Sequence, residues 1–307
     1  MELYSGPIID THHHLWRQRD IAWLNPPLTP KMFGDFYGLC REFPVEEWKH
    51  DIGPHNVVKT VHVTANWDGT KATRALDETR WLSEVAAKHG YPQAIVCQAD
   101  LADPQVEAQL ESQKRFPAVV GVRHQLYWDS RPTFQYAPRP DLCNTPQFRK
   151  GFALLEKFGY HFELQVFASQ VQYAVELVRD FPRVKFILLH AGMLTDPDKP
   201  HMVAQWRQAL MQLAAFPNVH VKISGLSMFT FGSTYAQLRQ VIRDTIQIFG
   251  IERTIYGSNF PLEKLWISYA DLIGTYKKIL AEYPRAQQKA VFHDNGNAFY
   301  RFPKDIS

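Results

Sequence analysis

Cysteine is scarce in this chain. Cys40, Cys97 and Cys143 are odd in number, widely spaced and in no CxxC pattern, which excludes a disulfide framework and a zinc knuckle. No apolar run approaches the roughly 20 residues that a membrane-spanning helix needs. The opening MELYSGPIID carries no basic segment backed by an apolar one, so the expectation is a cytoplasmic protein with no membrane partner. Charge of one sign is also missing as a feature. The 34 lysines and arginines barely exceed the 31 acids and are spread along the chain, which argues against a nucleic-acid surface and leaves room for a small anionic ligand.

Apolar residues make up 45% of the 307-residue chain and charged residues 21%, enough to bury a sizeable core and too apolar for disorder. Barrels of alternating strands and helices use about 250 residues as one unit, so a single domain over residues 1–307 is expected, with homo-oligomerisation left open. Short β-branched runs alternate with helical stretches. IIDTHHH is followed by VVKTVHVTA (57–65), AIVCQADL (94–101), VVGVRHQLYW (119–128), HFELQVF (161–167), VKFILLHAG (184–192), VHVKISGL (219–226) and TIYGSNFPL (254–262). Amphipathic segments lie between them, such as 234–249, where Leu238, Val241, Ile242, Thr245 and Phe249 share a face and Gly250 marks the stop. Eight strand-then-helix units predict a parallel sheet closed into a (β/α)₈ TIM barrel. Two connections, 17–56 and 129–145, are too long for plain barrel turns and rich in aromatics and proline. They follow strands one and four, so they belong at the C-terminal mouth, where they are expected to form a lid and set specificity.

The run His12-His13-His14 sits on the first strand. Side chains alternate along a strand, so His12 and His14 share one face, about 7 Å apart by the strand rise, and His13 points the other way, to pack under a helix. His190 ends strand six on the face of Phe186 and Leu188, which the alternation points into the barrel. His12, His14 and His190 are therefore the candidate ligands of one divalent metal ion, zinc in the first place, since three histidines with an open fourth position make a sufficient zinc set.

The segments DTHHHLW, VHVTANWD, GVRHQLYW, HAG, VKISGL, YGSNFPLEKL and NGNAFYRF resemble the amidohydrolase-2 branch of the metal-dependent hydrolases, a group that includes sugar and aromatic lactonases. The similarity runs from Ile8 to Phe302. It implies a distorted barrel whose site is lined by the HxH pair, a strand-six histidine and a strand-eight acid. At the last of these positions the chain departs from the pattern, because residue 259 is asparagine where most relatives carry an aspartate that binds metal and moves a proton.

A neutral amide does not act as a base at ordinary pH, which leaves three readings. A metal ion supplies hydroxide, with Asn259 orienting the water or donating to an oxyanion. Or no metal is used and His12, His14 or His124 is the base. Or the site has lost catalysis and still binds ligand. Alternation places Arg123 with Gln125, Glu163 with Gln165, and Lys222 with Ser224 on inward faces. Arg123 and Lys222 read as anchors for a substrate carboxylate or as carbonyl polarisers, with an internal Lys222–Glu163 ion pair as the bland alternative. Gln165, His124 and Trp16 complete the candidate substrate contacts, with Trp67 beside Trp16 as a pocket wall. His62 reads as a buried structural histidine. The leading function is hydrolysis of a small lactone of a sugar acid or aromatic-catabolic intermediate. A metal-dependent decarboxylase of aromatic carboxylates is the alternative.

Overall fold

The computed structural model describes residues 3–67 and 72–303. Eight parallel strands follow in sequence order around one sheet: β1 (Ile8–His13), β2 (Val57–Val63), β3 (Ala94–Gln98), β4 (Val119–Arg123), β5 (His161–Leu164), β6 (Phe186–Leu188), β7 (Val219–Ile223) and β8 (Thr254–Tyr256). One helix follows each strand: α1 (Val45–Ile52), α2 (Ala72–His89), α3 (Val106–Gln113), α4 (Pro146–Phe158), α5 (Val171–Asp180), α6 (Pro200–Ala214), α7 (Tyr235–Phe249) and α8 (Tyr269–Leu280). This is the (β/α)₈ barrel that the alternation predicts. It is nearly closed. β1 is joined to the segment just past β8 by an isolated bridge between His13 and Phe260, with Asn259 N–H donating to His12 O (2.6 Å) and His14 N–H to Phe260 O (2.7 Å). No helix among the described residues is long and apolar enough to cross a membrane.

Helix ends follow from local chemistry. Thr234 caps α7 by accepting from Gln237 N–H, and the Gln237 side chain accepts from Thr234 N–H in return, a reciprocal capping box. Gly250 then ends the helix with a positive φ of 79°. Leu238, Ile242, Thr245, Ile246 and Phe249 are buried, while Val241 is only partly so.

Two apolar layers hold the barrel. A small inner cluster of Val61, Val63, Ala94, Val96, Ile187 and Ile255 is closed at its base by Phe299 and Tyr300 of the C-terminal segment. A larger layer lies between strands and helices and includes Phe152, Phe162 and Phe186. That division corrects the expected facing of β6: Ile187 points inward, while Phe186 stacks on Phe152 of α4, 5.5 Å between ring centroids. Most strands also stop sooner than the sequence runs suggest, β6 ending at Leu188 and β8 at Tyr256.

Candidate active site

At the end of β1, His12 and His14 meet edge to face, 5.1 Å between ring centroids, and His12 lies 4.9 Å from His190. His13 turns the other way, stacks on Trp48 of α1 at 4.9 Å and hydrogen-bonds Thr60 Oγ1 at 3.0 Å. His190 does not arrive by strand alternation. After Leu188 the backbone enters the left-handed region at His190 (φ 54°), Ala191 (φ 48°) and Met193 (φ 54°), a costly run for residues other than glycine. This reversal swings the imidazole into the barrel. Gly225, at φ 62°, makes room for it: a Cβ there would stand 2.5 Å from His190 Nδ1.

Hydrogen bonds set the tautomers of these rings. His14 Nδ1–H donates to Val63 O (2.6 Å), and His190 Nδ1–H donates to Ser224 O (3.2 Å) with Ser224 Oγ at 3.0 Å. Both therefore keep a lone pair on Nε2. His12 is the opposite case. The Lys222 ammonium donates to His12 Nδ1 (3.3 Å), to Thr11 O (2.9 Å) and to the Glu163 carboxylate (2.9 and 3.0 Å). A neutral His12 accepting at Nδ1 carries its hydrogen on Nε2, and that atom is buried without a partner among the described residues.

Burial, and then the charges of Arg123 and Lys222, hold His190 down to about 3. Burial followed by Lys222 depresses His12, and burial followed by Arg123 depresses His14, both well below the ordinary value. All three are neutral imidazoles at pH 7. Burial pulls Lys222 down to about 8 against the attraction of Glu163. Burial alone would raise Glu163, but the ammonium outweighs it and the carboxyl is held at about 2. The pair is ionised and fully buried, with Tyr300 Oη donating to Glu163 Oε1 (2.8 Å). Lys222 is thus an internal support beneath His12 and does not line the pocket, which corrects its reading as a substrate anchor.

His14 and His190 open onto a pocket at the mouth of the barrel. Arg123, Gln165 and Asn259 share its lining, as do Asn66 and Gln125, which bond each other (Asn66 Nδ2 to Gln125 Oε1, 2.5 Å). Arg123 donates through NH2 to Thr64 O, and its Nε has no partner among the described residues. Trp16 forms part of the wall, its Nε1–H held by Arg41 O at 2.7 Å. The long connection after β1 adds Trp23, Lys31, Met32 and Phe33, and the one after β4 adds Tyr136, so both expected lid segments reach the mouth.

Two expected contacts lie elsewhere. His124 turns its ring toward Phe148 of α4 (5.4 Å) and accepts from Leu101 N–H through Nδ1 (3.1 Å), lining only an adjoining groove. As the immediate chain neighbour of the inward Arg123 it faces the helix layer, which corrects its reading as a substrate contact. Trp67 is buried against Trp81 and the Arg17 guanidinium. His62 is structural: it accepts from Leu15 N–H and lies 3.2 Å from Glu78 Oε1.

Residue 259 closes the site. Asn259 has φ 60°, a left-handed conformation that asparagine adopts more readily than most residues. Beside it, buried Asp10 accepts from Ser258 N–H (2.8 Å), His12 N–H (3.2 Å) and Tyr269 Oη (3.3 Å), and burial raises it to about 6. The sequence reading missed Glu263, which is fully buried behind Asn259 and raised by burial to about 7. Its only sequence signal was an acid four residues after Asn259, next in the chain to Lys264 and flanked by Leu262 and Leu265.

A three-histidine zinc centre needs three nitrogen lone pairs aimed at one point. His14 and His190 each supply one, whereas Lys222 commits His12 Nε2 to a hydrogen. Among the described residues no three His, Cys, Asp or Glu are gathered to hold an ion, and the nearby charges of Lys222 and Arg123 oppose a further cation. The residues as arranged do not fit the expected three-histidine centre.

Comparison with known proteins adds the lineage. A family model described as amidohydrolase matches residues 9–302. An uncharacterised protein y4mH of Sinorhizobium fredii is 36% identical over 296 residues, covering 96% of this chain and 98% of that one. A protein of Burkholderia ambifaria named L-fucono-1,5-lactonase is 26% identical, with 96% of each chain covered. Among solved structures, an amidohydrolase from Burkholderia multivorans with bound zinc superimposes with a TM-score of 0.80 at 24% identity, covering 97% of this chain and all of that one.

Proposed function

The chain belongs to the amidohydrolase family, and on that premise we propose that it hydrolyses the ring ester of a small lactone, of a sugar acid or an aromatic-catabolic intermediate. The observation that carries this reading is the pair of neutral imidazoles, His14 and His190, with preset Nε2 lone pairs on the floor of a pocket that also presents a buried guanidinium. The relative named as a lactonase supports the reaction class.

Water held between the imidazoles and Asn259 gives a proton to His190 Nε2 as its oxygen bonds to the lactone carbonyl carbon. The carbonyl π pair moves onto oxygen, and Arg123 offsets that negative charge. An imidazole held neutral down to about 3 is a weak base in the empty pocket. The developing oxyanion supplies the opposite charge that burial withholds, which raises the basicity of His190 as the reaction proceeds. When the tetrahedral centre collapses, the ring C–O bond breaks and the imidazolium proton passes to the departing ring oxygen, leaving a hydroxy acid and a neutral histidine. Arg123, whose Nε has no partner among the described residues, is the anchor for an anionic substrate.

Zinc, when bound in such barrels, supplies a hydroxide at neutral pH by lowering the pKa of bound water to about 7. With His12 Nε2 committed to a hydrogen, the imidazoles carry the proton, and treatment with a chelator is expected to leave the rate unchanged. The direct test is a panel of sugar-acid and aromatic lactones followed by acid release. Ring opening supports the assignment. Carbon dioxide release from aromatic acids instead marks a decarboxylase, and ligand-induced thermal stabilisation with no turnover marks a binding protein.

A further inference from the structure

Glu263 lies in the short turn Leu262–Leu265 that follows β8, and its carboxyl is fully buried. Among the described residues no cation pairs with it. The donors that favour its ionised form are the Ser227 hydroxyl and N–H and the Asn259 amide, against the opposing effect of burial. From α8 the Tyr276 phenol also lies within its field. None of the side-chain pairs closes to a full hydrogen bond: Glu263 Oε1 and Oε2, Ser227 Oγ and Asn259 Nδ2 are all buried and unpartnered among the described residues. Four orphaned polar atoms in one place are rare in a folded protein and call for an explanation, of which a role in the reaction is one.

The geometry also decides which end of the amide faces which way. A carboxylate only accepts, while the Asn259 amide has a donor end and an acceptor end. Asn259 Nδ2 is buried, the Asn259 side chain is one of the donors that act on Glu263, and Asn259 also lines the pocket. The backbone is fixed at the same point, with Asn259 N–H on His12 O (2.6 Å) and Glu263 N–H on Asn259 O (3.3 Å).

We propose that Glu263 is a positioning residue that takes the Asn259 Nδ2 hydrogen and so presents Asn259 Oδ1 to the pocket as the acceptor that orients the attacking water. On this account the acid of strand eight is set one side chain behind the amide. Asn259 then holds the water and the histidines move the proton. The kinetic consequence rests on the lactonase reading, whereas the orientation of the amide does not.

The test uses full-length Glu263→Gln and Glu263→Asp. The glutamine offers its own N–H groups, so it no longer fixes the amide end for end. On a lactone that the wild type opens, kcat is expected to fall on the order of 100-fold in Glu263→Gln, as for a misplaced reactant, with KM little changed and partial recovery in Glu263→Asp. Independently of turnover, the Asn259 side-chain amide signal in a proton–nitrogen correlation spectrum, assigned by its loss in Asn259→Asp, is expected to move in Glu263→Gln. An amide signal that stays in place, or a Glu263→Gln enzyme with wild-type kcat, overturns the proposal. A wild type that opens no lactone while the amide signal still moves refutes the lactonase reading and leaves the positioning role standing.

Discussion

Lys222 has three N–H groups and directs them at Thr11 O, the Glu163 carboxylate and His12 Nδ1. It thereby fixes a different tautomer on His12 from the one that backbone and hydroxyl acceptors fix on His14 and His190. Nitrogen spectra of labelled histidine at pH 7 should show three neutral rings, with hydrogen on Nε2 in His12 and on Nδ1 in the other two. Lys222→Met removes the donor and leaves Glu163 charged and unpaired in the interior. Breaking one side of such a buried pair costs about 3–5 kcal/mol, to be read as a lowered urea midpoint. The sequence carried the inward facing of Lys222 and Glu163 through simple alternation. It did not carry which of two roles the lysine plays, because substrate anchor and internal ion pair share the same facing.

Strand β6 shows where periodicity stops being informative. Alternation from Phe186 and Leu188 pointed His190 inward, and His190 is inward, but through a left-handed reversal after a three-residue strand whose inward residue is Ile187. Backbone excursions of this kind are set by tertiary contacts and leave little trace in a hydropathy pattern, apart from glycines such as Gly225 that make room for them. Gly225→Ala would drive a methyl group to 2.5 Å from His190 Nδ1 and strain a positive φ. It is expected to cut kcat by on the order of 100-fold through a displaced ring, measured beside a melting curve that shows the protein still folds. The lid segments act on binding instead. Trp23 lines the pocket with its Nε1–H held by Ala65 O at 3.1 Å. Trp23→Ala should raise KM roughly 10-fold, about the energy of one aromatic contact, with kcat largely kept.

At the scale of the whole molecule, barrel closure brings the first strand against the last and sets His12 beside His190, 178 positions apart in the sequence. Repeated strand and helix signals made that closure legible. The centre's protonation states were not legible, since they depend on burial and on neighbours drawn from distant strands. These buried groups also set acid stability. His190 and His220 are neutral in the fold down to about 3 and about 4, chiefly through burial. The unfolded chain therefore binds more protons than the folded one below about 6.5, and their stabilisation, complete above that pH, is lost as pH falls toward the folded values. Each contributes a slope of about 1.4 kcal/mol per pH unit. Asp10 and Glu263, raised to about 6 and about 7, act oppositely, their contribution being present at low pH and lost as pH rises through those values. Depressed histidines outnumber raised carboxyls, so the melting temperature should drop between pH 7 and pH 5. The most direct test of the reaction centre compares kcat/KM of the wild type and His190→Ala on the lactone opened fastest. A loss of roughly 10²- to 10⁴-fold is predicted for removing the group that carries the proton, and equal values in the two proteins would contradict it.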